Sequence, residues 1–185
     1  AMHSMDNYYA GKLIAVIAES GVHAVANPLI NITLQGRSDT YPKRRGMTRV
    51  KEMMAQGINV AFGHDCVLDP WYALGSHDML EVAGMGLHVA QMTGVSEMQA
   101  AFDAVTSNAA KVMNLPDYGL APGCNADMVV LQAGDPVEAL RLRANRLYVI
   151  RRGRVIAESS PHEAQVHLMG ADTTVKFANS ELNSL

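Results

Sequence analysis

The segment Ile58-Asn59-Val60-Ala61-Phe62-Gly63-His64-Asp65-Cys66 begins as a β-prone apolar run and ends abruptly in Gly-His-Asp. This pattern predicts a buried strand whose tip opens into a polar site. A carboxylate at such a tip is costly unless it is paired, hydrated or bound to a cation. Two interpretations of Asp65 follow: a metal ligand, or a side chain that is hydrogen-bonded to the backbone.

Helical and strand-like segments alternate upstream of this strand, and the alternation favours an α/β fold with parallel strands. Gly21 and Gly57 follow the two helical segments as stop signals. In chain order, the predicted segments are a helix with Tyr9, Leu13, Val16 and Ile17 on its apolar face, a strand over residues 22–26, a polar loop over 31–45 and a helix over 48–56.

The part of the chain after Trp71 first becomes helical and then β-rich. Helical spacing covers residues 79–92, 97–105 and 107–113. Beyond the turn-forming residues 119–123, the pattern predicts a strand over 128–131, a short helix over 136–142 and a hairpin of 148–151 with 154–157. One further strand is predicted over residues 173–177, so the last third of the chain is expected to form a small antiparallel appendage.

Bulk composition excludes several classes of protein. The 185 residues, 49% of them hydrophobic and 18% charged, suffice for one domain or one and a half with a sizeable core. A net charge of −3 gives no electrostatic case for nucleic acid or an anionic membrane, and no apolar run has the length of a membrane span. The two cysteines, Cys66 and Cys124, form no disulfide framework, which favours a reducing cytoplasm.

Several motifs together resemble the cytosine deaminases of the amidohydrolase superfamily. They are Asn-Pro-Leu-Ile-Asn-Ile at 27–32, Leu-Gln-Gly-Arg at 34–37, Asp-Thr-Tyr-Pro-Lys-Arg-Arg-Gly at 39–46, and Gly63-His64-Asp65 with Asp69-Pro70-Trp71. Residues 119–131 and the Arg152-Gly153 hairpin resemble that superfamily's C-terminal β extension. The resemblance extends over nearly the whole chain up to about Ser159.

The resemblance implies an α/β fold in which residues 1–115 form the C-terminal part of a (β/α)₈ TIM barrel. Residues 116–185 would form a small antiparallel β extension with a tail. Three metal-binding histidines and a catalytic glutamate of such enzymes would lie upstream, so the N-terminal half of the barrel is an expected partner. His3 is a weak substitute, since it sits where a helix should begin. A homo-oligomer is also expected.

The chemistry implied by the resemblance is metal-dependent hydrolytic deamination of an aminopyrimidine, with release of ammonia. Asp65 would be a ligand of one divalent ion, Fe²⁺ or Zn²⁺, and would accept the proton of the attacking water. Trp71 would wall the base pocket, although core packing is the alternative. Cys66 stands where these enzymes usually carry a second aspartate, so we hypothesise a C5-substituted base such as 5-methylcytosine; simple packing is the alternative.

Other polar residues and other functions complete the set of expectations. Gln35, Arg37 and the Lys43-Arg44-Arg45 cluster would shape the pocket rim, form an oligomer contact or remain a solvated face. His64 is expected to support the site, His23 to be structural within its strand, and His77 and His88 to lie on helices. Rival functions are hydrolysis of a triazine-like or other amino-heterocycle, and a non-catalytic half-barrel that binds a partner chain.

Overall fold

The computed structural model describes residues 2–168 and 170–176. The chain divides into two compact units, Ala1–Pro116 and Asp117–Leu185. The first unit contains a 3₁₀ turn at Met2–Ser4, α1 (Asn7–Ser20), β1 (Ala24–Ala26), α2 (Pro28–Leu34), α3 (Val50–Ala55), β2 (Val60–Phe62), α4 (Met79–Val89), α5 (Val95–Ala104) and α6 (Ser107–Val112).

Helix α1 ends at Gly21 as its sequence predicts, but its buried face differs from the predicted one. Asp6 caps the helix by accepting the Tyr9 N–H at 2.9 Å, and Gly21 ends it in the left-handed conformation. Ala10 and Ile14 are buried, whereas Tyr9 and Val16 are exposed. Periodicity alone places apolar residues on a stripe, while the packing of α1 against α3 decides which side of it is covered.

Strands β1 and β2 pair in parallel, as the alternation of segments predicts, with Ala24 opposite Val60 and Ala26 opposite Phe62. Every residue of β2 is buried, which explains the continuous apolar run. Strand β1 is shorter than predicted. His23 precedes it and is exposed, so its expected place within the strand is wrong.

Helix α2 occupies the start of a segment predicted as loop. Proline lacks a backbone N–H and is tolerated in the first helical turn, so Pro28 begins a helix here. The helix buries Leu29 and Ile30. The polar loop therefore starts after Leu34.

Helices α4, α5 and α6 confirm the predicted helical region and cover β2. Phe62 lies directly against Gly86 of α4, where a Cβ would collide with the phenyl ring. Asn108 of α6 donates from Nδ2 to the Val60 carbonyl at 3.1 Å, and Asn59 donates to the Asn108 carbonyl at the same distance. These contacts hold the strand from the helical side.

The second unit contains β3 (Met128–Leu131), α7 (Pro136–Leu142), β4 (Arg146–Arg151), β5 (Arg154–Glu158), β6 (Glu163–Leu168) and β7 (Ala171–Lys176). Strands β3, β4 and β5 form an antiparallel sheet in that order, and the hairpin at Arg152-Gly153 is confirmed, with both residues at positive φ.

One strand of the second unit is not among the predicted segments. Strands β6 and β7 form an antiparallel hairpin, whereas the pattern predicts a single strand over residues 173–177; Phe177 lies outside the described residues. The residues of β6 alternate strictly as Glu-Ala-Gln-Val-His-Leu, so a period-2 signal for this strand is present in the sequence although the expectations above omit it. Among the residues that the structure describes, no helix has the length and hydropathy needed to cross a membrane.

Candidate active site

The candidate site lies where the two parallel strands of the first unit end. Asn27 follows β1 and Asp65 follows β2, and Asn27 Nδ2 donates to Asp65 Oδ2 at 3.1 Å. Gly63 makes this approach possible, because a Cβ there would lie 2.5 Å from Asn27 Oδ1. The carboxyl ends of parallel strands are where α/β folds carry their functional residues.

Asp65 presents an exposed carboxylate that is held from two sides. Its backbone has a φ of 63°, a left-handed conformation in which Asp is enriched. Asn27 donates to Oδ2, and the Cys66 thiol donates to Oδ1 at 3.3 Å. The structure thus places Asp65 at the tip of the strand with a fixed orientation and open to solvent.

Cys66 is half-buried and carries a neutral thiol. Partial burial raises its pKa to about 11, and hydrogen bonds to Asp65 and Asp69 with the charges of these carboxylates act in the same direction. Protonated cysteine is a weak donor, so the side chain donates to carboxylates instead of acting as a thiolate nucleophile.

Trp71 projects away from the core of its unit. Its side chain is 75% exposed, whereas the adjacent Tyr72 is 6% exposed. Asp69 holds the backbone of both residues, because its Oδ1 accepts the N–H groups of Trp71 and Tyr72 at 2.9 Å. The alternative that Trp71 packs in the core does not hold within the first unit.

His64 supports the loop from inside. Its Nδ1 lies 3.1 Å from the Cys66 carbonyl, which accepts the ring N–H, and its ring centroid is 6.4 Å from that of Tyr72. His64 Nε2 is buried and has no hydrogen-bond partner within the described residues. His77 lies in the loop at a φ of 59°, so its expected place on a helix is wrong.

Two further histidines, His88 and His3, lie elsewhere in the first unit. His88 is helical as predicted, with Nδ1 2.6 Å from the Gly84 carbonyl of α4. His3 lies in the 3₁₀ turn, with Nε2 3.3 Å from the Ser4 hydroxyl; its Nδ1 is buried without a partner in the described part of the chain.

Asp65 fits one position in a metal site. A carboxylate offers about four acceptor positions, and the bonds from Asn27 and Cys66 use two of them, while the residue itself is exposed. Across residues 2–168 and 170–176, no group of three or more His, Cys, Asp or Glu side chains is placed to hold a metal ion. Within the described residues, Asp65 could therefore supply one oxygen ligand to a metal ion.

The polar loop over residues 35–49 is held by its own basic residues. The Arg44 guanidinium forms two 2.5 Å bonds to the Asp39 carboxylate, and this pairing lowers the pKa of Asp39 to about 2. Lys43 donates to the Arg37 carbonyl, and Arg45 donates to Gln91. All three basic side chains are exposed, which supports a solvated, ordered face.

Sequence reasoning missed two residues of the site, Asn27 and Asp69. Asn27 enters the expectations only as the first residue of the Asn-Pro-Leu-Ile-Asn-Ile motif, and Asp69 only as part of the Asp-Pro-Trp motif. A signal for Asp69 is present, since an Asp two residues before an aromatic pair can accept its backbone N–H groups in an Asx turn. No local signal joins Asn27 to a carboxylate 38 residues away.

Comparison with known proteins now identifies the class of this chain. Residues 2–157 match the amidohydrolase family, so the chain belongs to that family. The mixed α/β structure agrees with the TIM-barrel-type fold of such proteins, and the resemblance to the amidohydrolase superfamily is confirmed.

Individual relatives narrow the comparison. A structure of 5-methylcytosine deaminase from Klebsiella pneumoniae, liganded with 5-fluorocytosine, is 42% identical with a TM-score of 0.86, over 90% of this chain and 40% of that one. A pterin deaminase of Rhizobium rhizogenes is 32% identical over 84% of this chain and 36% of its own. An N-isopropylammelide isopropyl amidohydrolase of a Pseudomonas species is 30% identical over 59% of this chain and 27% of its own. The chain spans less than half the length of the curated relatives it matches.

Proposed function

We propose that this chain is part of a metal-dependent deaminase that hydrolyses cytosine or a 5-substituted cytosine, such as 5-methylcytosine, to the corresponding uracil and ammonia. The observation that carries the proposal is the oriented, exposed carboxylate of Asp65 beside Cys66 at the end of β2. Its support from comparison is the 42% identity to a 5-methylcytosine deaminase.

The proposed architecture assigns residues 1–115 to the C-terminal part of a (β/α)₈ barrel and residues 116–185 to a small β extension. Two parallel strands covered by helices on one side are the repeating element of such a barrel. The remaining strands would come from the N-terminal half, as would the other metal ligands and the catalytic glutamate.

Asp65 has two tasks in this proposal, as a ligand and as a proton acceptor. A bound divalent ion, Fe²⁺ or Zn²⁺, would lower the pKa of a coordinated water to about 7. Asp65 accepts the proton of the attacking water and returns a proton to the departing amine. One water is consumed and one ammonia is released for each base. Asn27 keeps the carboxylate in place during both transfers.

Cys66 and Trp71 are proposed to bind the base. A thiol is smaller and less polar than a carboxylate, so a pocket with Cys66 has room for a C5 methyl group where an aspartate would be too polar. The exposed indole of Trp71 offers a flat surface on which a pyrimidine can stack.

The test uses the complete polypeptide from its native source and measures release of ammonia from cytosine, 5-methylcytosine and pterin, and release of alkylamine from an N-alkylammelide. We expect the highest kcat/KM with 5-methylcytosine. Asp65→Asn keeps the size of the side chain but loses its charge, and we expect it to reduce kcat by a factor of about 100 or more. Equal activity of Asp65→Asn and the wild type would contradict the assigned role.

Base preference gives a sharper prediction for Cys66. Cys66→Asp is expected to move the ratio of kcat/KM for 5-methylcytosine over cytosine by about tenfold towards cytosine, because one methyl group in a fitted pocket is worth about that factor. Cys124→Asp is the matched control, since Cys124 is also a half-buried free cysteine but lies in the second unit. An unchanged ratio in Cys66→Asp would refute the role of the thiol.

A second candidate is deamination of a pterin, favoured by the 32% identity to the pterin deaminase. A fused two-ring substrate needs a wider pocket than a pyrimidine. Faster ammonia release from pterin than from either pyrimidine would establish it. Absence of both ammonia and alkylamine from every substrate, in a native polypeptide no longer than this chain, would favour the non-catalytic half-barrel.

A further inference from the structure

The loop that carries Trp71 is closed by a compact set of hydrogen bonds centred on one carboxylate. Asp69 Oδ1 accepts the N–H groups of Trp71 and Tyr72, each at 2.9 Å. The Asp69 N–H donates to the Tyr72 carbonyl at 3.1 Å, and the Leu68 N–H donates to the Leu74 carbonyl at 3.1 Å. This is the geometry of an Asx turn closed by a second backbone bond.

The turn gives two adjacent aromatic side chains opposite environments. Tyr72 is buried and lies beside the ring of His64, while the Trp71 indole faces solvent. An exposed indole gains little from its own packing. Its direction must therefore be set by the backbone, which Asp69 determines, and by the anchored Tyr72.

Asp69 also connects this turn to Asp65. The Cys66 thiol donates to Asp65 Oδ1 at 3.3 Å. Backbone hydrogen bonds from Tyr72 and Trp71 lower the pKa of Asp69, and a bond from the Cys66 thiol acts in the same direction. The carboxylate that would act in the reaction and the indole that would bind the base are thus joined through a single loop.

We propose that Asp69 is a positioning residue, whose carboxylate folds the loop so that Trp71 stands as a preformed flat platform on the loop that carries Asp65. Its task in binding rests on the proposed function, whereas its effect on the indole does not. Preformed platforms lower the entropic cost of binding a flat ligand. Substitution of Asp69 therefore acts on substrate binding more than on the chemical step.

The indole is tested first, with fluorescence anisotropy decay of the 185-residue chain, in which Trp71 is the only tryptophan. Asp69→Ala removes the acceptor and is expected to increase the amplitude of nanosecond motion of the indole. Asp69→Asn keeps an Oδ1 acceptor, and Asn forms Asx turns as Asp does, so we expect its decay to match the wild type. Unchanged decay in Asp69→Ala would overturn the proposal.

A control variant separates this effect from general loss of stability. Asp6→Ala removes a carboxylate that accepts the Tyr9 N–H at the same 2.9 Å, but at the start of α1. We expect it to leave the Trp71 decay unchanged. If Asp69→Ala lacks the circular dichroism of the folded chain, Asp69→Ser replaces it, because a serine hydroxyl makes a weaker turn of the same kind. We then expect an anisotropy decay of Trp71 between that of the wild type and that of the chain unfolded in urea. A decay equal to that of the wild type would overturn the proposal.

Kinetics of the complete polypeptide test the consequence for the substrate. Asp69→Ala is expected to raise KM for 5-methylcytosine about tenfold with kcat within twofold of the wild type, and Asp69→Asn to restore the wild-type KM. A loss in kcat with unchanged KM would overturn the assignment. If Trp71→Leu leaves KM unchanged while Asp69→Ala still frees the indole, the base-binding role of Trp71 fails and the positioning role stands.

Discussion

At the scale of residues, the site depends on a glycine that leaves space for two polar side chains to meet. Asn27 Nδ2 reaches Asp65 because Gly63 has no Cβ in the space beside the amide. Asn27 precedes α2, where Asn commonly caps a helix, yet its side chain makes no capping bond. The side chain is used for the carboxylate instead.

Gly63→Ala tests this close approach. The added Cβ would lie 2.5 Å from Asn27 Oδ1, so we expect Asn27 to be displaced and the free energy of unfolding to fall by about 1–3 kcal/mol. Gly11→Ala is the matched control, because Gly11 lies within α1 with no atom within 4 Å of the new Cβ; there we expect a gain of up to about 1 kcal/mol. Urea unfolding measures both, and equal effects would refute the argument.

The ion pair of Asp39 with Arg44 gives a prediction for pH. Since the pKa of Asp39 is lowered from its ordinary 3.8 to about 2, the folded state binds this proton less readily than the unfolded state. The contribution of the pair to loop order is complete above the ordinary value and is lost as pH falls through about 2. NMR titration of the Asp39 carboxyl carbon checks this.

The control for that titration is Arg44→Gln. Without the guanidinium, we expect the Asp39 midpoint to return towards 3.8, because the largest cause of the lowered pKa is the hydrogen bond from Arg44. A wild-type midpoint near 3.8 would show that the pair does not persist in solution. High salt should reduce the difference, since both side chains are partly exposed.

At the scale of elements, α1 shows that a correct boundary does not imply a correct face. Capping by Asp6 and termination at Gly21 are local features, and both are present in the structure. Burial of Ile14 rather than Val16 depends on α3, which lies more than thirty residues later. A helix with apolar residues around much of its circumference cannot reveal its covered side by itself.

Two truncations on α1 measure which face is covered. Ile14 is 3% exposed and Val16 is 60% exposed. We expect Ile14→Ala to cost about 2–4 kcal/mol of unfolding free energy through lost burial and a cavity, and Val16→Ala to change it by about 0.5 kcal/mol or less. Comparable costs for the two substitutions would mean that Val16 is also covered in solution, for example by another chain.

At the scale of the whole molecule, the first unit holds only one pair of parallel strands among its described residues. Each strand of a closed barrel pairs with two neighbours, whereas β1 and β2 pair only with each other in the part of the chain that the structure describes. The chain also spans only 40% of the Klebsiella pneumoniae 5-methylcytosine deaminase structure. Both facts agree with the proposal that the remaining metal ligands come from other strands.

Metal content follows from this proposal. We expect the purified 185-residue chain to retain less than about one tenth of an equivalent of Fe²⁺ or Zn²⁺ after dialysis, because a single carboxylate binds such ions weakly. The complete polypeptide is expected to hold about one ion, and Asp65→Asn to reduce that content. Elemental analysis, with intact mass on the same sample, measures the metal content of each chain. One tightly bound ion in the 185-residue chain would contradict the proposal that other strands supply the remaining metal ligands.

Local signals in the sequence determined a large part of this protein. The buried run ending in Gly-His-Asp, the Arg152-Gly153 hairpin and the helix over 136–142 depend on residues within a few positions of one another, where backbone propensity and hydrophobic period act. The same short segments carried the resemblance to the amidohydrolases.

Only the tertiary structure decided what meets across long separations in the chain. The bond from Asn27 to Asp65 and the covered face of α1 each depend on elements that converge after folding. The spacing of residues along the chain does not give the distance between such elements, because the packing of whole helices and strands sets that distance. The place of Asp65 at the end of a buried strand was therefore predictable, and its bond to Asn27 was not.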